Sequence, residues 1–189
     1  MKETEVTVEV FNDLEEITTI LDGRGFRKTD EYTIYDRYFT LSGDISGLSY
    51  RDLLNSSILV RSIDGSDPVY QIIFKKKEYD EHANVISEEK TKAEISDPGA
   101  VAEILKLAGL NEYCDLTNHS LIFENGNICF ALQIVSDLGI FIEYEEDETM
   151  AGLDPSEKIV RMSDRLKGLG LKLGNDFSCK KVAMKLALK

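Results

Sequence analysis

Carboxylates two residues apart are the first feature of this chain that could do chemistry. Between Met1 and Val10, Glu3, Glu5, Thr7 and Glu9 alternate with Thr4, Val6, Val8 and Val10. This is the period-two pattern of a strand with one acidic and one apolar face. Ile140 to Glu146 repeats the design, with Phe141, Glu143 and Glu145 on one side and Ile140, Ile142 and Tyr144 on the other. Two readings fit such strands. The acidic faces are simply solvated, as a charged content of 30% allows. Alternatively, the carboxylates line a shared polar cavity, where they repel unless a divalent cation or basic side chains stand between them.

Other chemistries have less to work with. Only two histidines occur, His82 in a polar stretch and His119 beside a strand-like segment, too few for a His-rich zinc site or a His-based triad. Cys114, Cys129 and Cys179 are odd in number, widely spaced and without a CxxC pair, and they read as buried thiols. The net charge of −13 argues against a general nucleic-acid binder, because phosphate backbones call for a basic surface. Met1 opens a charged strand rather than a signal peptide, and no apolar run approaches the ~20 residues of a membrane span. The expected setting is cytoplasmic, with no membrane partner.

The elements that must position the carboxylates follow from periodicity and punctuation. Asn12 and Glu15 resemble a capping box ahead of a helix with Leu14, Ile17, Ile20 and Leu21 on its apolar face. Strands are expected at Tyr32 to Leu41, Ile58 to Ile63, Pro68 to Tyr79 and Glu88 to Ile95, with a loop and a short helical turn over Ser42 to Ser57. Asp97-Pro98 starts a second helix, whose inward stripe is expected to be Val101, Ile104, Leu105 and Ala108. Asn118 to Phe123 and Ile128 to Val135 form a hairpin across Asn125-Gly126, and the acidic strand at Ile140 follows. Asp154-Pro155 starts a helix with Ile159, Met162 and Leu166 inward, and Ser178 precedes a last one. With 189 residues and no linker-like stretch, residues 1–189 are expected to form a single domain. About eight strands joined mostly by short turns favour an antiparallel sheet closed or nearly closed on itself.

In order and content these segments resemble the CYTH family, named for class IV adenylate cyclases and thiamine triphosphatases. Leu138 to Glu145 is similar to the family's LG-x-F-x-E-x-E strand, and Glu3-Thr4-Glu5-Val6-Thr7 resembles its E-x-E-x-K signature. Tyr35 to Phe39 resembles the D-x-Y-F segment, Ile58 to Arg61 the L-R-I-R strand, and Phe74-Lys75 the strand that ends in lysine. The resemblance implies an α+β fold: an antiparallel, eight-stranded closed β-barrel, or tunnel, with helices packed outside. It implies Mg2+ or Mn2+ held by Glu3, Glu5, Glu143 and Glu145. It also implies a phosphorylated small molecule held by Arg61, Lys75, Lys90, Lys77 and Lys92: a nucleoside triphosphate, thiamine triphosphate or inorganic polyphosphate.

The pattern is incomplete. Thr7 replaces the signature lysine, Leu59 an arginine and Gln133 a metal-binding aspartate; Asn118 and Ser120 stand at the K-x-R, and Lys92 replaces a carboxylate. A neutral side chain cannot offset phosphate charge as a guanidinium or ammonium does. The expected function is therefore triphosphate binding with slow, metal-dependent hydrolysis. A phosphate-ligand sensor or carrier and a barrel kept for protein interaction are the alternatives, adenylate cyclase chemistry comes last, and no catalytic residue is assigned.

Overall fold

The computed structural model describes residues 4–41, 43–79 and 85–188, with only the backbone for 77–79 and 85–88. In chain order the elements are β1 (Glu5–Val10), α1 (Leu14–Gly23), β2 (Arg27–Thr40), α2 (Tyr50–Asn55), β3 (Ile58–Asp64), β4 (Val69–Tyr79) and β5 (Val85–Glu94), followed by α3 (Pro98–Leu107), β6 (Asn111–Asn125), β7 (Ile128–Val135), β8 (Gly139–Glu145), α4 (Pro155–Lys167) and α5 (Lys181–Ala187). The strands form one eight-stranded sheet in the order β1-β8-β7-β6-β2-β3-β4-β5. The ladders β1–β8, β7–β8, β2–β3, β3–β4 and β4–β5 are antiparallel. All eight expected strands are present, and β2 and β6 begin several residues earlier than periodicity suggested. No helix among the described residues is long and apolar enough to cross a membrane.

The chain packs into two compact units, one built around Tyr32–Asn118 with α5, the other around Glu3–Glu31 and His119–Lys180. In the second unit Val6, Val8 and Val10 of β1 and Ile142 and Tyr144 of β8 bury one sheet face together with Ile17 and Leu21 of α1 and Met162 and Leu166 of α4. α4 starts where Asp154-Pro155 places it, with a full capping box between Asp154 and Glu157. At α1 the cap moves by one residue. Asp13 accepts from the Glu16 amide at 2.8 Å, while Asn12 donates to the Glu16 carboxylate at 2.9 Å and accepts from the Lys172 amide at 2.6 Å.

In the first unit Phe39, Val60, Ala102 and Leu105 form the core, flanked by Ile58, Ile72 and Val101. α3 has the expected bounds but is rolled about its axis: Ile104, assigned to the inward stripe, is 61% exposed, whereas Ala102 is fully buried. The small Ala102 lets the helix approach the sheet closely, and at about 100° per residue a stripe centred on Ala102 and Leu105 leaves Ile104 outside. The cysteines also depart from expectation, since Cys114 is buried, Cys179 half-buried and Cys129 exposed.

The sheet order ends at β1 and β5, and among the described residues no ladder joins these two strands into the closed barrel that was expected. The outer edge of β1 is taken by the segment after α4. Thr7 donates its amide to the Phe177 carbonyl at 3.0 Å and accepts from the Cys179 amide at 3.1 Å. The Glu9 carbonyl accepts from the Gly174 amide at 2.9 Å, and Phe11 donates to the Lys172 carbonyl at 2.8 Å. Residues 172–179 thus lie along β1 as a strap.

Candidate functional site

The strap determines how β1 meets β8. Because the peptide groups of Thr7 point outward to Phe177 and Cys179, the register pairs Thr7 with Glu143 and Glu5 with Glu145 are non-hydrogen-bonded pairs. Facing side chains approach most closely at such positions. One carboxylate oxygen from each of Glu5, Glu143 and Glu145 lies within 4.8 Å of the others. Glu5 and Glu143 are half-buried and Glu145 is exposed. Glu3, the fourth expected ligand, lies outside the described residues.

Like charges set directly across a strand pair destabilise it, and a cation or a basic side chain beside them offsets that repulsion. Hard carboxylate oxygens suit Mg2+ or Mn2+. Opposite oxygens around Mg2+ stand about 4.2 Å apart, comparable with the 4.8 Å within which these carboxylate oxygens lie. The residues present therefore fit a divalent cation. On the same face the register sets Ala131 opposite Glu143 and Gln133 opposite Phe141, and Thr7, Gln133 and Phe141 are all buried.

In the first unit the basic candidates also share one face. Asp36 pairs with Arg61, Arg61 with Gln71, Leu59 with Ile73, Ile73 with Lys92, and Lys75 with Lys90. By strand alternation these residues lie opposite the face of Val60 and Ile72 that packs on α3. Lys75 is half-buried, and Lys90 and Lys92 are exposed. The Lys77 backbone pairs with Glu88, and its side chain lies outside the described set.

Arg61 makes a bidentate pair with Asp36, donating from Nε at 2.7 Å and from Nη2 at 2.6 Å. Asp36 is buried, and the Tyr38 hydroxyl donates to it at 3.5 Å. Burial first, then the Asp36 carboxylate, pushes the Tyr38 hydroxyl well above its ordinary pKa of 10.0. The sequence marked Asp36 and Arg61 separately but not as partners. Only the β2–β3 register joins them, and the residues between these strands include α2 rather than a tight turn that would fix it.

A second network went unmarked. The Tyr144 hydroxyl donates to Asp147 at 2.8 Å and accepts from Arg165 of α4 at 2.6 Å, and Arg165 also binds Asp147. Burial, reinforced by the Asp147 hydrogen bond, raises the Tyr144 hydroxyl to a pKa of about 12. The network pins α4 onto β8 on the side away from the carboxylates. Its role is to hold the strand that carries Glu143 and Glu145.

No protein-family model and no curated protein matches the sequence. Solved structures do match. The PH1012 protein of Pyrococcus horikoshii superposes with a TM-score of 0.68 at 21% identity, covering 97% of this chain and 99% of that one. A candidate adenylate cyclase from Vibrio parahaemolyticus gives 0.64 at 15% identity, with 99% and 98% covered. A candidate adenylyl cyclase from Hippeastrum, described as having a dominant triphosphatase activity, gives 0.62 at 13% identity, with 99% and 96% covered. At these identities the likeness establishes the fold.

Proposed function

We propose that this chain, whose fold is CYTH-like, binds a triphosphate or another phosphorylated small molecule together with Mg2+ or Mn2+, and hydrolyses it slowly. The observation that carries the reading is the gathering of the Glu5, Glu143 and Glu145 carboxylates within 4.8 Å. These three hold the cation. When bound, the cation supplies charge neutralisation and polarisation at phosphoryl oxygens. Arg61, Lys75 and Lys90, with Lys77 and Lys92, are the proposed phosphate contacts, carried over from the motif resemblance.

Slow turnover follows from the charge that is missing. In phosphoryl transfer the charge on the equatorial and leaving oxygens must be offset together, and one well-aimed charged or donor group is commonly worth ~10²–10³ in rate. Thr7, Leu59, Asn118 and Ser120 are neutral at positions where the resemblance has basic residues. Arg61 also shares its guanidinium with Asp36. Adenylate cyclase chemistry would need a base and a purine pocket, and neither is identified.

The test is to assay the purified chain against ATP, thiamine triphosphate and tripolyphosphate, with Mg2+, Mn2+ or chelator. A ligand that binds the native state raises apparent stability. The melting temperature is expected to rise with metal and triphosphate together, and phosphate release is expected to be slow and lost in Glu143→Gln. Binding without any release would leave a carrier or sensor. No binding of any phosphorylated compound would reject the reading.

A further inference from the structure

α2 stands at one end of the face that carries Arg61. Ser57, just before β3, continues the strand alternation of Leu59 and Arg61 and so lies on their side of the sheet. Its hydroxyl donates to the Leu53 carbonyl at the end of α2, which leaves its oxygen to accept from the Tyr113 hydroxyl at 2.7 Å. Burial pushes the Tyr113 phenol up to a pKa of about 12, so it keeps the proton that it donates. The Tyr113 ring lies against Tyr38, with centroids 6.1 Å apart, and the Tyr38 hydroxyl reaches Asp36, the partner of Arg61. An unbroken run of contacts thus joins α2 to Arg61 within the first unit. Leu59 and its register partner Ile73 are both buried on this face, and α2 packs against β4. Within residues 43–56 Leu53 is the one buried side chain, and a segment with few buried apolar contacts opens at low cost.

We propose that α2 is a lid over this end of the Arg61 face, latched shut by the Ser57–Tyr113 hydrogen bond, and that it opens to let an anionic ligand reach Arg61. The inference rests on the phosphate-contact reading above and adds a regulation of it. The closed form is inhibited in two ways: α2 covers the approach, and Asp36 occupies the guanidinium through both of its hydrogen bonds. A ligand whose competent state is a minor population binds more weakly by that fraction. Loosening the latch therefore strengthens binding. A purely structural hydrogen bond would act in the opposite direction, since its loss disorders the surroundings of Arg61 and weakens binding.

The experiment is calorimetric titration of the full chain with tripolyphosphate in Mg2+, paired with amide hydrogen exchange in the absence of ligand. Tyr113→Phe removes the latching hydroxyl and keeps the ring. One hydrogen bond of ordinary strength predicts that this variant binds tripolyphosphate about three- to tenfold more tightly than the wild type. Amides of residues 50–56 should exchange faster by a similar factor. Ser57→Ala removes the other half of the latch and serves if Tyr113→Phe does not fold. Leu105→Ala, which loosens α3 on the opposite side of the sheet, is the control and should change neither reading. Equal or weaker binding in the latch variant, unchanged exchange over 50–56, or the same gain in Leu105→Ala would overturn the lid while leaving the proposed function standing. No tripolyphosphate binding by the wild type and the latch variant alike would reject the phosphate reading, and the lid with it.

Discussion

Arg61 illustrates how a residue picked for one chemistry is committed to another. Its fork geometry matches a carboxylate as well as a phosphate, and here it meets Asp36 through two hydrogen bonds of 2.7 and 2.6 Å. Removing the guanidinium would strand a buried carboxylate. Arg61→Ala is therefore expected to cost about 2–4 kcal/mol in urea denaturation, somewhat under the cost of a fully buried pair because Arg61 keeps part of its surface in water. Arg61→Lys should recover only part of this, since an ammonium cannot form the planar fork. An unchanged urea midpoint in Arg61→Ala would show that Asp36 is stabilised by other contacts. At this scale the acidic cluster was legible because strand parity is written in the sequence. The Arg61–Asp36 partnership was not, because long-range register is not.

Among the elements, α3 separates what local signals determine from what packing decides. Asp97, Pro98 and, two residues past the helix, Gly109 in the left-handed region (φ 92°) are local, and they mark its ends, with the Asp97 side chain accepting from the Ala100 amide at 2.9 Å. The roll of the helix is not local. Val101, Ala102, Ile104 and Leu105 are all apolar, so periodicity alone leaves several inward faces open, and contact with Phe39 and Val60 selects one of them. Leu105→Ala is expected to cost about 2–4 kcal/mol, whereas Ile104→Ala should change stability by under about 0.5 kcal/mol. Equal losses at both positions would contradict the observed roll. The early start of β2 has a related cause: Arg27 to Glu31 are polar and exposed, and the sheet, rather than strand propensity, keeps them extended.

For the whole molecule, the strand order is the part that periodicity could not supply. β1 lies beside β8, and β6 beside β2, pairings between segments far apart in sequence that no local signal specifies. The strap along β1 was not anticipated, since residues 172–179 carry no strand signal, yet they make three backbone hydrogen bonds to β1 and a fourth to Phe11 just after it. This strap has a bearing on solubility. An open strand edge is a template on which another chain can add, and Phe11, at the end of β1, is 62% exposed. With the peptide groups of Thr7, Glu9 and Phe11 engaged within the same chain, that edge offers little to a foreign strand. Replacing Gly174 and Cys179 by proline removes two of the four amide donors and acceptor contacts that keep it engaged. In sedimentation velocity the double variant should form larger, concentration-dependent species that the wild-type chain does not, and identical profiles would mean that the edge is guarded by something else. On this view the C-terminal segment shields the strand that carries Glu5 and Thr7 from self-association.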